Sequence, residues 1–423
     1  MAPTEMLAGE ATVGSGARCL LRPDLIAEYD AARSPGRKGF RSACYAPFVS
    51  MYFDVHGHVT ACCQNTKYPL GSIPEQSLRS IWDGRPTAAL RDALTKYRFG
   101  PECEFCRWQI EDGNWDTFAT KFDGFPADDR EPLWPAQMEF ALSNTCNLEC
   151  IMCHGEFSSK IRARREHRPP LPAAYADTFF DELREFLPHL VRTRFFGGEP
   201  FLARESFRVW ELMIEDGLAV DCNVTTNGTI WNPRVAHVLE HLPFTIGVSI
   251  DGVRPETVEH IRSGASHAEI MANLDRFQAY TRERGTGLSL TFCLMQPNWR
   301  EFADYLRFAD ERGCPVFVNT VVYPPSLSLH RLGVEDLNEV IHSLEGQDRS
   351  MCDLSPHNRQ VWEHELHRLR SWHQRLERRA NGEGDDTEYF EVHVEGGPNE
   401  TTVSPPDRRV NPGQGSATRR DDA

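Results

Sequence analysis

No run of apolar residues approaches the roughly 18 needed to span a bilayer. The amino terminus, MAPTEMLAGEATVGSGARC, lacks the basic start and apolar stretch of a secretory signal. Both absences point to a soluble protein of the reducing cytoplasm. Positive charge is also in short supply: 62 acidic against 46 basic residues leave a net charge of −16, which repels nucleic-acid phosphates and anionic lipid. No nucleic acid and no membrane are therefore expected as partners. The Arg-rich stretch KIRARREHR at 160–168 is a local exception and reads as a solvated helix face. There is no internal repeat of fixed period. What the chain does have is cysteine, 13 in 423 residues. In a reducing compartment, clustered cysteines in odd number favour metal binding over disulfides.

The chain is too long for one ordinary core, so a catalytic domain and at least one smaller unit are expected. From 136 to 325, short β-rich runs alternate with amphipathic helical runs, the signature of βα units around a parallel sheet. Six strands are expected, over 138–143, 191–197, 220–227, 244–251, 288–295 and 316–323, with helices such as 177–190 and 302–313 between them. The fold class is α/β, a partial barrel or an open doubly wound sheet, and in both the chemistry gathers at the carboxyl ends of the strands. Residues 40–110 read as a small, separate, cysteine-rich α+β module, with a strand-turn-strand over 48–63 and one helix over 77–97. Residues 1–39 are expected to be partly disordered, 326–382 to form two helices, and 383–423, rich in Gly, Pro, Asp and Thr, to be mostly disordered.

The stretch SNTCNLECIMCH at 143–154 follows the first barrel strand and holds Cys146, Cys150 and Cys153. A structural zinc site wants four ligands, and here only His154 is near enough to be a fourth. Three thiolates suit a [4Fe–4S] cluster that leaves one iron open for another ligand.

This Cys-x3-Cys-x2-Cys spacing resembles the radical S-adenosylmethionine (SAM) superfamily. In that family the open iron chelates SAM, and one electron from the cluster cleaves the sulfonium to give a 5′-deoxyadenosyl radical that abstracts a substrate hydrogen. The resemblance extends over most of 136–325 and implies a partial (β/α)6 barrel. Gly197-Gly198-Glu199-Pro200 at the end of the second strand resembles the family's GGEP motif, whose glycines let the backbone approach SAM. By the same resemblance Asn227, Ser249 and Asp251 are candidates for ribose or methionine contacts. Arg262 stands where relatives place an arginine against the SAM carboxylate, and Asn298 follows the fifth strand as a further candidate. Each also has an ordinary reading as a turn or cap residue.

A second set, Cys44, Cys62, Cys103 and Cys106, has the pattern Cys-x12-Gly-x4-Cys followed by Cys-x2-Cys. With the segment LGSIPEQSLRSIWDGRPTAALRDAL between its halves, it is similar to the SPASM and twitch modules that carry auxiliary clusters in many radical SAM enzymes. Four thiolates imply a closed auxiliary [4Fe–4S] cluster used for electron transfer or for shaping the substrate site. Four cysteines in a small irregular domain also describe zinc. Most family members carry this module after the barrel, whereas here it comes first. Cys63, beside Cys62, reads as a plain buried thiol, with a substitute ligand as the alternative. Cys222 and Cys293, on barrel strands, pack the core by default, although in related epimerases a cysteine returns hydrogen to the substrate radical.

The resemblance implies a radical SAM oxidoreductase acting on an unreactive C–H bond of a small molecule or peptide, by dehydrogenation or crosslinking, with the auxiliary cluster as electron acceptor. A flavodoxin or ferredoxin is the expected electron donor. The alternatives are a redox-neutral epimerase or rearrangement enzyme and, in another class, a zinc-stabilised scaffold. About 40 residues before Cys44 are too few for a winged-helix leader-peptide domain, which tilts the substrate toward a small molecule or a peptide delivered by another protein.

Overall fold

The computed structural model describes residues 20–382, with residues 34, 66, 116 and 322 excepted. The expectation for 383–423, the first half of that for 1–39, and Cys19 lie outside the described residues. Of the remainder of 1–39, Pro23–Ala32 is helical.

Nine strands form one sheet: β1 (Ser50–Phe53), β2 (His58–Thr60), β3 (Gly71–Ser72), β4 (Gln137–Phe140), β5 (Arg192–Phe195), β6 (Asp221–Thr226), β7 (Phe244–Ser249), β8 (Leu288–Leu294) and β9 (Val316–Thr320). Their order is β3-β2-β1-β4-β5-β6-β7-β8-β9. The six strands expected between 136 and 325 are β4 to β9, each parallel to the next and in sequence order. This is the succession that right-handed βα crossovers produce.

The cysteine-rich module is not separate from that sheet. β1 pairs parallel with β4, with Tyr52 opposite Glu139 and Phe53 opposite Phe140, so the module extends the first edge of the barrel sheet. The physical reason is that an open barrel leaves β4 with unpaired N–H and C=O groups on one side, and β1 satisfies them. One continuous apolar core runs accordingly from Leu21 to Leu369. The helix expected over 77–97 is two, Leu78–Trp82 and Arg85–Thr95, broken where Gly84 and Pro86 interrupt the hydrogen-bond ladder.

Alternation along the strands sorts side chains to two faces. Phe53, Phe140, Phe195, Phe244 and Phe292 turn toward the helices: Phe53 packs on Phe179, Phe195 and Phe244 on Trp210, and Phe292 on Phe302 and Tyr305. The other face carries Tyr52, Glu139, Arg194, Asn223, Thr225, Ser249, Thr291, Cys293 and Asn319, placed by the register. It is polar and holds charge.

The helices are set by local signals. Asn232 caps Pro233–His241 by accepting from the Arg234 and Val235 N–H groups. Ser266 caps His267–Arg284, which ends on the left-handed Gly285. The two helices expected over 326–382 are Val334–Glu345 and Pro356–Ala380.

Candidate functional site

The loop after β4 is fixed by its own backbone rather than left open. The N–H of Glu149 donates to Ser263 O at 2.8 Å and that of Ile151 to Ile261 O at 2.9 Å. Ser158 Oγ donates to Leu148 O at 2.7 Å, and Asn144 Nδ2 to Gly155 O at 2.8 Å. These bonds hold Cys146, Cys150 and Cys153 in one short loop at the carboxyl end of the sheet. Cys150 is buried and the other two are half-buried. Burial pushes all three thiols up, Cys150 to about 11 and Cys153 to about 12.

The donor set itself bears on the group it could hold: a closed structural zinc site takes four ligands, whereas three thiolates suit a [4Fe–4S] cluster that leaves one iron open.

Gly197 and Gly198 allow the turn after β5 to lie flat on the cysteine loop. Gly197 has φ +109°, and a Cβ on Gly198 would stand 2.4 Å from Thr145 O. Gly198 N–H donates to Ser143 O at 3.0 Å and Glu199 N–H to Thr145 O at 2.7 Å, which ties the turn to the residues just before Cys146. Pro200 is buried beside them.

The carboxylate of Glu199, the motif's acidic residue, is turned into the protein. It is fully buried and accepts from Thr226 Oγ1 at 2.8 Å, the Asn227 N–H at 2.7 Å and the Phe201 N–H at 3.1 Å. Burial raises its carboxyl to about 7 despite those donors. Glu199 is thus a positioning residue joining the ends of β5 and β6. Asn227, which it holds, donates through Nδ2 to Asn147 Oδ1 at 3.0 Å and lies 3.9 Å from Cys146 Sγ. Its Oδ1 accepts from both the N–H and the hydroxyl of Thr229. Asn147 and Thr229 were missed by sequence reasoning, although Asn147 lies inside the cysteine stretch 143–154 and Thr229 two residues after Asn227.

At the ends of β7 and β8 the same internal bracing recurs. Asp251 is fully buried; its Oδ1 accepts from the Cys293 N–H at 2.7 Å, and its Oδ2 lies 2.7 Å from Arg262 Nη2. Arg262 is buried, and its Nε has no protein partner. Asn298 donates to Asp251 O and Cys293 O and accepts from the Met295 N–H, so its amide is wholly engaged. Asp251 and Asn298 thus hold Arg262 and the loop after β8. Ser249 sits half-buried at the end of β7 on the polar face.

The four cysteines of the second set converge from distant segments. Cys44, Cys62, Cys103 and Cys106 line one cavity, together with apolar side chains that include Leu90, Phe99 and Phe122. Burial pushes the Cys44 and Cys106 thiols up to about 12 and those of Cys62 and Cys103 well above the ordinary range. Cys63 does not line this cavity, and its thiol instead feels Glu139, Lys121 and Arg194 on the polar face. Cys44 precedes β1, and Cys62 follows β2, which runs antiparallel to it. The cavity accordingly lies toward the amino ends of the parallel strands, opposite the loop of Cys146.

The two cysteines weighed as hydrogen donors part company. Cys222 lies on the helix side, fully buried, with its sulfur 3.5 Å from Thr193 Oγ1. Cys293 lies on the polar face, half-buried, near Arg262 and Cys150. β4 also places Glu139 on that face, where its Oε1 accepts from Arg194 Nη1 at 2.7 Å. A charged residue inside an apolar strand was the signal available for it.

A loop with three cysteines thus lies against a Gly-Gly turn at the carboxyl end of a parallel sheet, and four further cysteines line a cavity toward its amino end. Comparison with known families agrees. The radical SAM superfamily matches residues 140–324, and the SPASM iron–sulfur cluster-binding domain matches residues 44–107. The chain thus carries a stretch matching the radical SAM domain with a SPASM module ahead of it, and these two domains imply a [4Fe–4S] cluster, an auxiliary cluster and SAM as cofactors.

Among curated proteins, the chain is 30% identical over 130 residues to an AdoMet-dependent heme synthase of Methanosarcina barkeri, covering 30% of this chain and 34% of that protein. It is 29% identical over 119 residues to an uncharacterized protein of Methanocaldococcus jannaschii, covering 26% and 37%. The chain thus spans about a third of the length of these relatives. Among solved structures, Streptococcus suis SuiB bound to precursor peptide SuiA is 14% identical with a TM-score of 0.38, covering 64% of this chain and 65% of that one. The enzyme anSMEcpe with bound AdoMet is 16% identical with a TM-score of 0.36, covering 50% and 60%. No helix among the described residues is long and apolar enough to cross a membrane.

Proposed function

We propose that this enzyme carries out a net two-electron oxidation of an unreactive C–H bond in a polar small molecule or short peptide, by dehydrogenation or crosslinking, in a reducing cytoplasm. The observation that carries the reading is the placement of the two cysteine sets at opposite ends of one sheet, with a polar face running between them. Three thiolates at the carboxyl end leave room for SAM, and four at the amino end close a group that has only electrons to exchange. Bound together, the first cluster and SAM supply a carbon-centred radical able to take a hydrogen atom.

The chain's own residues do the rest. Cys146, Cys150 and Cys153 would hold the first cluster. Gly197 and Gly198 keep that loop in place, and Arg262, with its unpartnered buried Nε, suits a carboxylate such as that of SAM. Cys44, Cys62, Cys103 and Cys106 would hold the second group, whose chemistry would be that of a one-electron acceptor for the oxidation. Ser249, Asn223, Thr225 and the Glu139–Arg194 pair offer the substrate polar contacts.

One observation favours a second reading. Cys293 faces the same interior, as a hydrogen-returning thiol in a redox-neutral epimerase would. Turnover in heavy water with reconstituted enzyme, dithionite, SAM and host extract decides between the two. Oxidation leaves no solvent deuterium on carbon, whereas epimerisation installs it. If substrate labelled with deuterium transfers none to 5′-deoxyadenosine, both readings fail.

A further inference from the structure

The Arg-rich stretch at 160–168 lies directly over the loop that carries the first cysteine set. Its first part is the helix Ser159–Arg164, capped by Ser158. Lys160 Nζ donates to Asn147 O at 3.0 Å, and Arg165 Nη1 donates to Glu149 O at 3.2 Å and to Cys150 O at 3.1 Å. One guanidinium therefore bonds the carbonyl of a cluster-ligand cysteine. Arg164, Arg165 and Arg168 are exposed around it.

Three carboxylates share the patch. Glu149 lies 3.6 Å from Lys160 and 3.5 Å from Arg164, Glu156 pairs with the buried Arg162 and with Arg168, and Glu166 lies 3.3 Å from Arg168. Five cations against three anions still leave an excess of positive charge, on a chain whose net charge is −16. That excess stands where the cysteine loop meets the surface.

We propose that this patch is the docking surface for an acidic one-electron donor protein, with Arg164 and Arg168 as its outer charges. The proposal rests on the radical SAM reading of the cysteine loop, because the electron delivered there must reach a group held by Cys146, Cys150 and Cys153. The donor, a reduced flavodoxin or ferredoxin, loses one electron and the acceptor behind the patch gains it. Without a local reversal of sign, two acidic proteins repel each other at every approach. The patch supplies that reversal over the cysteine loop itself, where Arg165 bonds the carbonyls of Glu149 and Cys150. Complementary charge of this kind acts chiefly on encounter rate and orientation.

The test uses the full-length enzyme, a purified flavodoxin, and the double variant Arg164→Glu with Arg168→Glu. Arg165 is left intact because it holds the cluster loop. The double variant Arg282→Glu with Arg284→Glu, in the last turn of the helix His267–Arg284 that leads to the amino end of β8, is the charge-matched control. Binding by isothermal titration calorimetry at about 50 mM salt is expected to weaken about tenfold or more in the double variant and to stay unchanged in the control. Wild-type binding is expected to fall steeply as salt is raised to about 300 mM. Flavodoxin-driven 5′-deoxyadenosine formation should slow in parallel, whereas dithionite-driven formation should not.

Equal affinity of the double variant and the wild type overturns the docking surface, as does wild-type binding that is indifferent to salt, a measurement that does not depend on the variant folding. Failure of dithionite to drive SAM cleavage in the wild type sinks the functional reading instead, and leaves the binding result to score the surface by itself.

Discussion

Replacing Glu199 with Gln tests whether the Gly-Gly-Glu-Pro turn is a dry structural brace. In the native protein three donors converge on its carboxylate, yet burial lifts it from the ordinary 4.5 to about 7. Between those values the folded protein keeps a proton that the unfolded chain has released, so stability falls as pH rises. The contribution is fully present below the ordinary value and lost as pH passes through about 7. Linkage puts the loss between about pH 5 and about pH 8 at about 2.5 kcal/mol. Glutamine cannot ionise and carries no such slope. It has one oxygen where Glu199 has two, so its amide faces a donor on one side, at a cost of about 1–3 kcal/mol. The variant should therefore be less stable than wild type at about pH 5 and should draw level with it or pass it at about pH 8. Urea denaturation of the reduced, cluster-free protein, followed by tryptophan fluorescence, reads both values. A stability gap that stays constant with pH refutes a buried, partly protonated Glu199.

Cys146→Ala should abolish 5′-deoxyadenosine formation, because two thiolates hold the cluster poorly. Cys103→Ala should retain some of that activity, lose roughly four irons per chain and impair product formation; normal turnover would remove the second site from electron transfer. Gly198→Ala places a methyl 2.4 Å from Thr145 O, so the loop must move and iron bound after reconstitution should fall by about half, as the first cluster is lost and the second retained. Arg262→Ala strands the buried Asp251 carboxylate and should cost about 3–5 kcal/mol in denaturation, whereas Arg262→Lys, which retains the charge, should cost less.

Much of this was legible in the sequence. The six barrel strands were readable because each is a short β-rich run with a capped amphipathic helix beside it. The two cysteine sets were readable because ligand spacing is itself a local signal. What was not readable is long-range. No residue near Ser50–Phe53 announces that this strand will lie parallel to Gln137–Phe140, because parallel pairing leaves no turn between its partners. The motif residues Glu199, Asp251 and Asn298 were found, but their side chains turn inward to hold neighbours. Spacing identifies such positions without giving the direction of a carboxylate. Glu139 was passed over because one charge in an apolar strand looks like an exception until the register puts Arg194 beside it.

The parallel seam between Tyr52 and Glu139 also bears on how the chain is made. The ribosome delivers β1 well before β4, so the early segment waits with a bare edge until its partner is translated. Splitting the gene between the two would leave both halves with sticky borders and expose them to aggregation, whereas co-expression of the halves should let the seam zip together in trans.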